Sequence, residues 1–308
     1  SVVVVSSNAD LGLWAKAPPN IKVVIDLPDA YLDEPFGFRT AFRGLAKWFA
    51  GDTRSLSLNY RRTLEACLRR ADAVVCSTDE QLRKIRTLCD NVHAILDFHG
   101  ELGSYSPIAP QSDREIDLVW EGLPPSLPAL ESILPAIEAL ASNRRVSLHV
   151  LTDLRAPRYM NRFLIKETSR LVAKWGFPVS LYQWDVRILP TVARSCDLAL
   201  VPVDLRDSMA RGKPENRLRL FWRLGLPVVA SASPSHIRAV RSIGMTQEVL
   251  CETIGDWKET LLALAKDPGA RKQIATVGNA AAMSIYSDKA ISDSWDRVLE
   301  SIGFTSAG

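Results

Sequence analysis

Short apolar runs alternate with helix-length amphipathic stretches along nearly the whole chain. The runs are "VVVV" (2–5), "KVVID" (22–26), "AVVCS" (73–77) and "HAILD" (93–97), then "DLVWEG" (117–122), "VSLHVLT" (146–152), "VSLYQW" (179–184), "LALVPV" (198–203) and "PVVAS" (227–231). They are rich in Val, Ile and Leu and lack alternation with polar residues. That is the pattern of strands covered on both faces of a parallel sheet. Helical periodicity occupies 55–71, 79–89, 127–142, 159–175, 187–195 and 215–224. Repeated strand–helix–strand order predicts an α/β fold with doubly wound parallel sheets.

One stretch breaks the rhythm. "HGELGSYSPIAPQSD" (99–113) is rich in Gly, Ser and Pro and has no period, so it reads as a linker. At 308 residues the chain is too long for one ordinary core and suits two. The expected division is a first domain over 1–98, a linker over 99–114 and a second domain over 115–284. Residue 1 already stands inside a strand, so the first domain reads as incomplete. Either an earlier segment precedes it or the domain is shortened.

Composition narrows the function. Apolar and charged fractions of 47% and 24% are those of a soluble globular protein. A net charge of +3 gives no argument for nucleic acid. The five cysteines, Cys67, Cys76, Cys89, Cys196 and Cys251, form no metal-ligand spacing and read as free thiols in a reducing compartment. No run of about eighteen apolar residues marks a membrane span. No signal peptide is visible, and the expected location is cytoplasmic.

The chemistry concentrates in "ARGKPENRLRLFWRLGLPVVAS" (210–231). Leu218, Phe221 and Trp222 fall at i, i+3 and i+4, one face of a helix. Pro214 suits its first turn and Gly225 a left-handed cap at its end. Gly212, Lys213, Asn216 and Arg217 then gather at the positive end of the helix dipole. Free backbone N–H groups, a Lys and an Arg there make a seat for a phosphate or diphosphate. The alternative is a pair of solvated surface cations.

This order of elements resembles the donor-binding module of GT-B glycosyltransferases, closest to the bacterial family-four, or group one, enzymes. These carry Gly-Lys-x-x-Asn-Lys/Arg-Leu, a helix, and a Gly-x-Pro-Val-Val-Ala strand, and here "GKPENRL" and "LGLPVVAS" stand in that order. "WDVRILPTVARSCDLALVPV" (184–203), "ADAVVCSTDEQLRKI" (71–85) and "IYSDKAISDSWDRVLESI" (285–302) extend the likeness. The resemblance implies two Rossmann-like domains and a closing helix, within 285–308, that packs back toward the first domain. It implies that Gly212, Lys213, Asn216 and Arg217 bind the diphosphate of a nucleotide-sugar, which is a substrate, with no cofactor and no metal. Two acids common in the family are replaced here, by Leu220 and Gly212.

On the first domain, "VVIDLPDAYLDE" (23–34) puts Asp26 at a strand end with Asp29 and Asp33 beyond. Ligands of open parallel sheets bind at the carboxyl ends of strands. A carboxylate there, Asp29, can act as base toward an acceptor hydroxyl, and His99 is the second catalytic candidate. The alternatives are a turn-ordering aspartate and a surface histidine. "FRTAFRGLAKWFA" (38–50) interleaves aromatics with Arg39, Arg43 and Lys47. This fits a helix over 38–49 on an anionic membrane surface, and equally a core-facing helix with a solvated basic face. The membrane reading suits a peripheral enzyme with a lipid-linked or glycan acceptor. Aromatics at helix spacing argue against nucleic acid. Two other functions share the fold: a degenerate, non-catalytic partner protein and a nucleotide-sugar epimerase.

Overall fold

The computed structural model describes residues 1–33, 59–109, 115–157 and 165–304. The basic aromatic stretch 38–49 lies outside the described residues. The chain forms two compact units, the first made of Ser1–Phe98, Asp207–Pro214 and Asp288–Gly308, the second of His99–Arg206 and Glu215–Ser287.

In the first unit β1 (Val2–Ser6), β2 (Lys22–Leu27), β3 (Ala73–Cys76) and β4 (Val92–Ala94) pair in parallel in that order. Alternate residues of one strand point to opposite faces, and the core divides accordingly. Val23, Ile25, Leu27, Val74 and Cys76 pack with Leu64, Cys67 and Leu68 from the helix Tyr60–Arg70. Those three helix residues fall at i, i+3 and i+4, and Asn59 caps the helix by accepting from the Arg62 N–H at 3.1 Å. Val24, Ala73, Val75 and Ile95 pack instead with Ile291, Val298 and Ile302 of the C-terminal segment, whose helix spans Asp288–Ser301. Asn91 Nδ2 ties the end of that helix by donating to Ser301 Oγ at 2.9 Å.

The second unit holds β5 (Glu115–Glu121), β6 (Arg145–Thr152), β7 (Arg155–Pro157), β8 (Ile165–Glu167), β9 (Val179–Gln183), β10 (Leu198–Val201), β11 (Val228–Ser231) and β12 (Leu250–Cys251). Six of these form one parallel sheet in the order β12-β11-β10-β5-β6-β9. The chain winds outward from β5 through β6 to β9, then returns to β10 on the other side of β5. The winding therefore reverses between β5 and β10, where open α/β sheets bind ligands at their carboxyl ends. Every residue of β10 and β11 is buried, as strands covered on both faces require.

Two local expectations change. Of the predicted helix over 159–175, residues 159–164 lie outside the described residues, and among the rest only Ser169–Val172 is helical. Its preceding residues Ile165–Glu167 form β8, antiparallel to β7. Thr168 anchors the turn: its N–H donates to Leu154 O at 3.1 Å and its hydroxyl to Asp153 O at 2.9 Å. The sheet gains β12, a two-residue strand too short to give a hydrophobic run.

The segment 99–109, linker-like in composition, is strapped onto the second unit. Leu102 is buried, and Tyr105 and Ile108 pack against its core. The Ile108 N–H donates to Gly225 O at 2.9 Å, and Asn279 Nδ2 donates to Tyr105 O at 2.9 Å. Arg223 Nε donates to Gly103 O at 2.7 Å, and Arg194 to Ser106 O at 2.8 Å. Gly225 has φ +77°, and a Cβ there would stand 2.4 Å from Ser106 O. Glycine is thus required twice, by its backbone and by the close strap.

Candidate functional site

The helix Asn216–Arg223 begins two residues after Pro214, with Glu215 in the capping position. Leu218, Phe221 and Trp222 enter the core, as their spacing predicts. Leu220 is buried there too, so this position packs and presents no polar group. The Asn216 side-chain carbonyl accepts from Arg219 at 3.4 Å.

Arg217 sits on the first turn of this helix. Its guanidinium donates to the backbone carbonyl of Glu121, the last residue of β5, at 3.3 Å. The next residue is Gly122. A Cβ there would meet the Trp120 ring at 2.7 Å and Arg217 Nη1 at 3.1 Å. Glycine therefore makes room for the guanidinium against the strand end. The Glu121 side chain takes the indole N–H of Trp184 at 2.8 Å. Trp184 follows β9 and is 38% exposed. Burial pushes the Glu121 carboxyl above its ordinary range, while Arg217 and the Trp184 hydrogen bond pull it down.

His236 lies on the helix Pro234–Ser242, after β11. Its ring is buried, and Nδ1 lies 2.7 Å from Ser231 O. A carbonyl partner only accepts, so Nδ1 carries a proton. Burial lowers its pKa to about 4; the hydrogen bond to Ser231 opposes this, and the nearby Arg217 charge adds to it. Ser231 Oγ ties the ends of β10 and β11 together, accepting from the Val203 N–H at 2.8 Å. Glu121, Gly122, Trp184, Arg217 and His236 thus gather at the carboxyl end of the six-stranded sheet. An anion seated there meets one cation on a helix start, an indole and a neutral imidazole.

The sequence candidates divide between the units at the Pro214–Glu215 step. Gly212 and Lys213 belong to the first unit. A Cβ on Gly212 would come within 2.9 Å of Ala30 Cβ, and Ser208 Oγ donates to Asp33 O at 3.4 Å, so the segment 207–214 packs on the turn after β2. There Lys213 Nζ lies 3.9 Å from Asp29 Oδ1, with both side chains more than a third exposed. Such an exposed pair contributes little stability. Asp26, at the end of β2, has its pKa raised by burial and, secondarily, by the Asp97 carboxylate. His99 belongs to the second unit, half-buried at the start of the turn Gly100–Leu102. Among the described residues no three His, Cys, Asp or Glu side chains gather as metal ligands.

Sequence reasoning missed Glu121 and His236 and gave Trp184 no role. A buried-looking strand that ends in Glu-Gly was the available signal for the first. For His236 it was a Ser-x-x-His start to the helix after a strand, since Ser233 caps that helix.

No protein-family model matches the sequence, and no curated protein sequence does. Solved structures match its fold. Sucrose-phosphate synthase of Thermosynechococcus elongatus superposes with TM-score 0.66, over 98% of this chain and 73% of that one, at 12% identity. TarM gives 0.65 over 97% of this chain and 54% of its own, at 12% identity, so this chain spans about half of TarM. HepE of Anabaena, in complex with UDP, gives 0.63 over 97% of this chain and 78% of its own, at 16% identity. With its two parallel α/β sheets, the chain has the GT-B fold of these glycosyltransferases.

Proposed function

We propose that the chain moves a sugar from a nucleotide-sugar to an acceptor hydroxyl, with the donor diphosphate seated at the start of the helix Asn216–Arg223. The observation that carries this reading is Arg217, held on the Glu121 carbonyl beside Gly122, where the winding of the sheet reverses. The UDP bound in HepE supports the ligand class. In the transfer, the bond from the sugar's anomeric carbon to the diphosphate oxygen breaks and a bond to the acceptor oxygen forms. Charge develops on the departing diphosphate, where Arg217, Lys213, Asn216 and the helix N–H groups meet it. The acceptor proton passes to Asp29 or His99. Gly212, with no Cβ, lets the segment before Lys213 lie close against Ala30. The chemistry needs no metal and no cofactor. The acceptor is a glycan or a lipid-linked one, met by a cytoplasmic protein resting on the inner membrane face through residues 38–49. Among the described residues no helix is long and apolar enough to cross a membrane.

A second reading is a non-catalytic protein of the same fold. It is favoured by Leu220, buried in the core at the position where the resemblance expects a ribose-binding acid. Mixing the protein with UDP-, GDP- and ADP-sugars and an acceptor extract, and assaying release of nucleoside diphosphate, separates the two. Release that depends on Arg217 supports transfer. Tight nucleotide binding with no release supports the second reading, and no binding of any nucleotide overturns both.

A further inference from the structure

Within the second unit, a cavity of about 660 Å³ opens between the helices Ile254–Lys266 and Pro268–Met283 and the loop that leads into β12. The first helix lines it with Asp256, Glu259, Thr260, Ala263 and Leu264, and the second with Ala270, Gln273, Ile274 and Val277. Both sets step by three and four residues, so each helix gives one face for about two turns, roughly 11 Å. The cavity is therefore a groove running along two helices. Met245, Val249, Leu264 and Ile274 are its buried apolar floor.

The charges of these two helices are sorted. Their only acids, Asp256 and Glu259, line the groove, and Glu248 joins them from the loop. Their cations, Lys258, Lys266, Arg271 and Lys272, do not. The buried Arg271 is turned inward, donating to Leu264 O at 2.7 Å and Ala265 O at 3.2 Å, which locks the end of the first helix to the start of the second. Asp256 accepts the Glu252 and Thr253 N–H groups at 2.8 Å through Oδ2, which fixes its carboxylate at the start of the first helix.

An apolar floor bordered by three carboxylates and, among the described residues, no cation complements a helix with an apolar stripe flanked by lysine or arginine. Recognition of amphipathic helices in apolar grooves works through such i, i+3, i+4 anchors. We propose that this groove docks a cationic amphipathic helix of a partner protein, at a site independent of the nucleotide-sugar reading.

The test uses the full chain and a fluorescent helical peptide of leucine and lysine in a three-four repeat, with a leucine–glutamate peptide of the same pattern beside it. Anisotropy titration at low salt should show binding of the first peptide only. Glu248→Lys with Glu259→Lys should weaken it by about tenfold, because several exposed charge pairs are reversed at once. Ala263→Trp, which fills the groove, should weaken it similarly at unchanged thermal unfolding. The same charge reversal at Asp293 and Asp296 should leave binding as it is. Equal binding of both peptides, or binding indifferent to the groove variants, overturns the proposal. So does a chain whose self-association, measured by sedimentation, is abolished by Ala263→Trp, since the groove is then covered by a second copy.

Discussion

Trp184 donates its indole N–H to Glu121 Oε1 at 2.8 Å, joining the ends of strands β9 and β5 across the intervening β6. An exposed aromatic is thereby held by a carboxyl that burial pushes toward its neutral form. The pair fixes a flat apolar surface beside Arg217 at the end of β5.

Glu121 should make the protein less stable as pH rises. Its folded pKa is raised above the ordinary 4.5, so the folded chain binds the proton more tightly than the unfolded one. Stability from this group is present below the unfolded value and is lost as pH climbs through the folded one. Urea unfolding of Glu121→Gln, which keeps an oxygen for Trp184, should show a flatter decline above pH 4.5. An identical pH profile would show that the carboxyl is ionised in the fold.

His236 works in the opposite direction. Its pKa falls from 6.5 to about 4 on folding, so the unfolded chain takes up the proton first. The native protein should lose stability as pH falls from 6.5 toward 4. At 1.36 kcal/mol per unit the loss is on the order of 3 kcal/mol. His236→Gln should remove this dependence, as read by the unfolding midpoint at several pH values.

Gly122→Ala should reduce nucleotide binding more than stability. The new methyl group meets both the Trp120 ring and the Arg217 guanidinium. The ring is buried and cannot retreat freely, so the Arg217 head gives way. Calorimetric titration with UDP, GDP and ADP should show weaker binding at a melting temperature lowered by only a few degrees, as overpacking costs about 1–3 kcal/mol.

Arg217→Ala and Lys213→Ala should each weaken nucleoside-diphosphate binding. A charge-assisted contact to phosphate contributes roughly 1.5–3 kcal/mol, a loss of about tenfold or more. Unchanged affinity in both variants removes the diphosphate from this helix start.

The strands were legible because Val, Ile and Leu runs are what a doubly covered parallel sheet requires, and β1 to β6 and β9 to β11 all fall on such runs. The helix Asn216–Arg223 was legible from the three-four spacing of Leu218, Phe221 and Trp222; Leu220 lies outside that spacing and is buried as well. Residues 165–167 misled because their local sequence suits a helix, and only pairing with β7 and the Thr168 anchor makes them a strand. The Trp184–Glu121 contact was beyond reach for another reason. The two residues are 63 positions apart, and neither position carries a motif. Their meeting follows from the strand order, which periodicity does not encode.

The helix Asp288–Ser301 covers one face of a sheet whose described strands lie between Val2 and Ala94. On the ribosome, Val24, Ala73, Val75 and Ile95 must wait for Ile291, Val298 and Ile302. Domains fold in order as they emerge, yet this one cannot finish before the helix Asp288–Ser301 has been made. Until then an apolar sheet face stands uncovered, the kind of surface to which a chaperone binds. The second unit, closed by Ser287, is complete first. Translation thus reverses the order in which the two units become stable, and the fourteen-residue helix Asp288–Ser301 decides when the first one does.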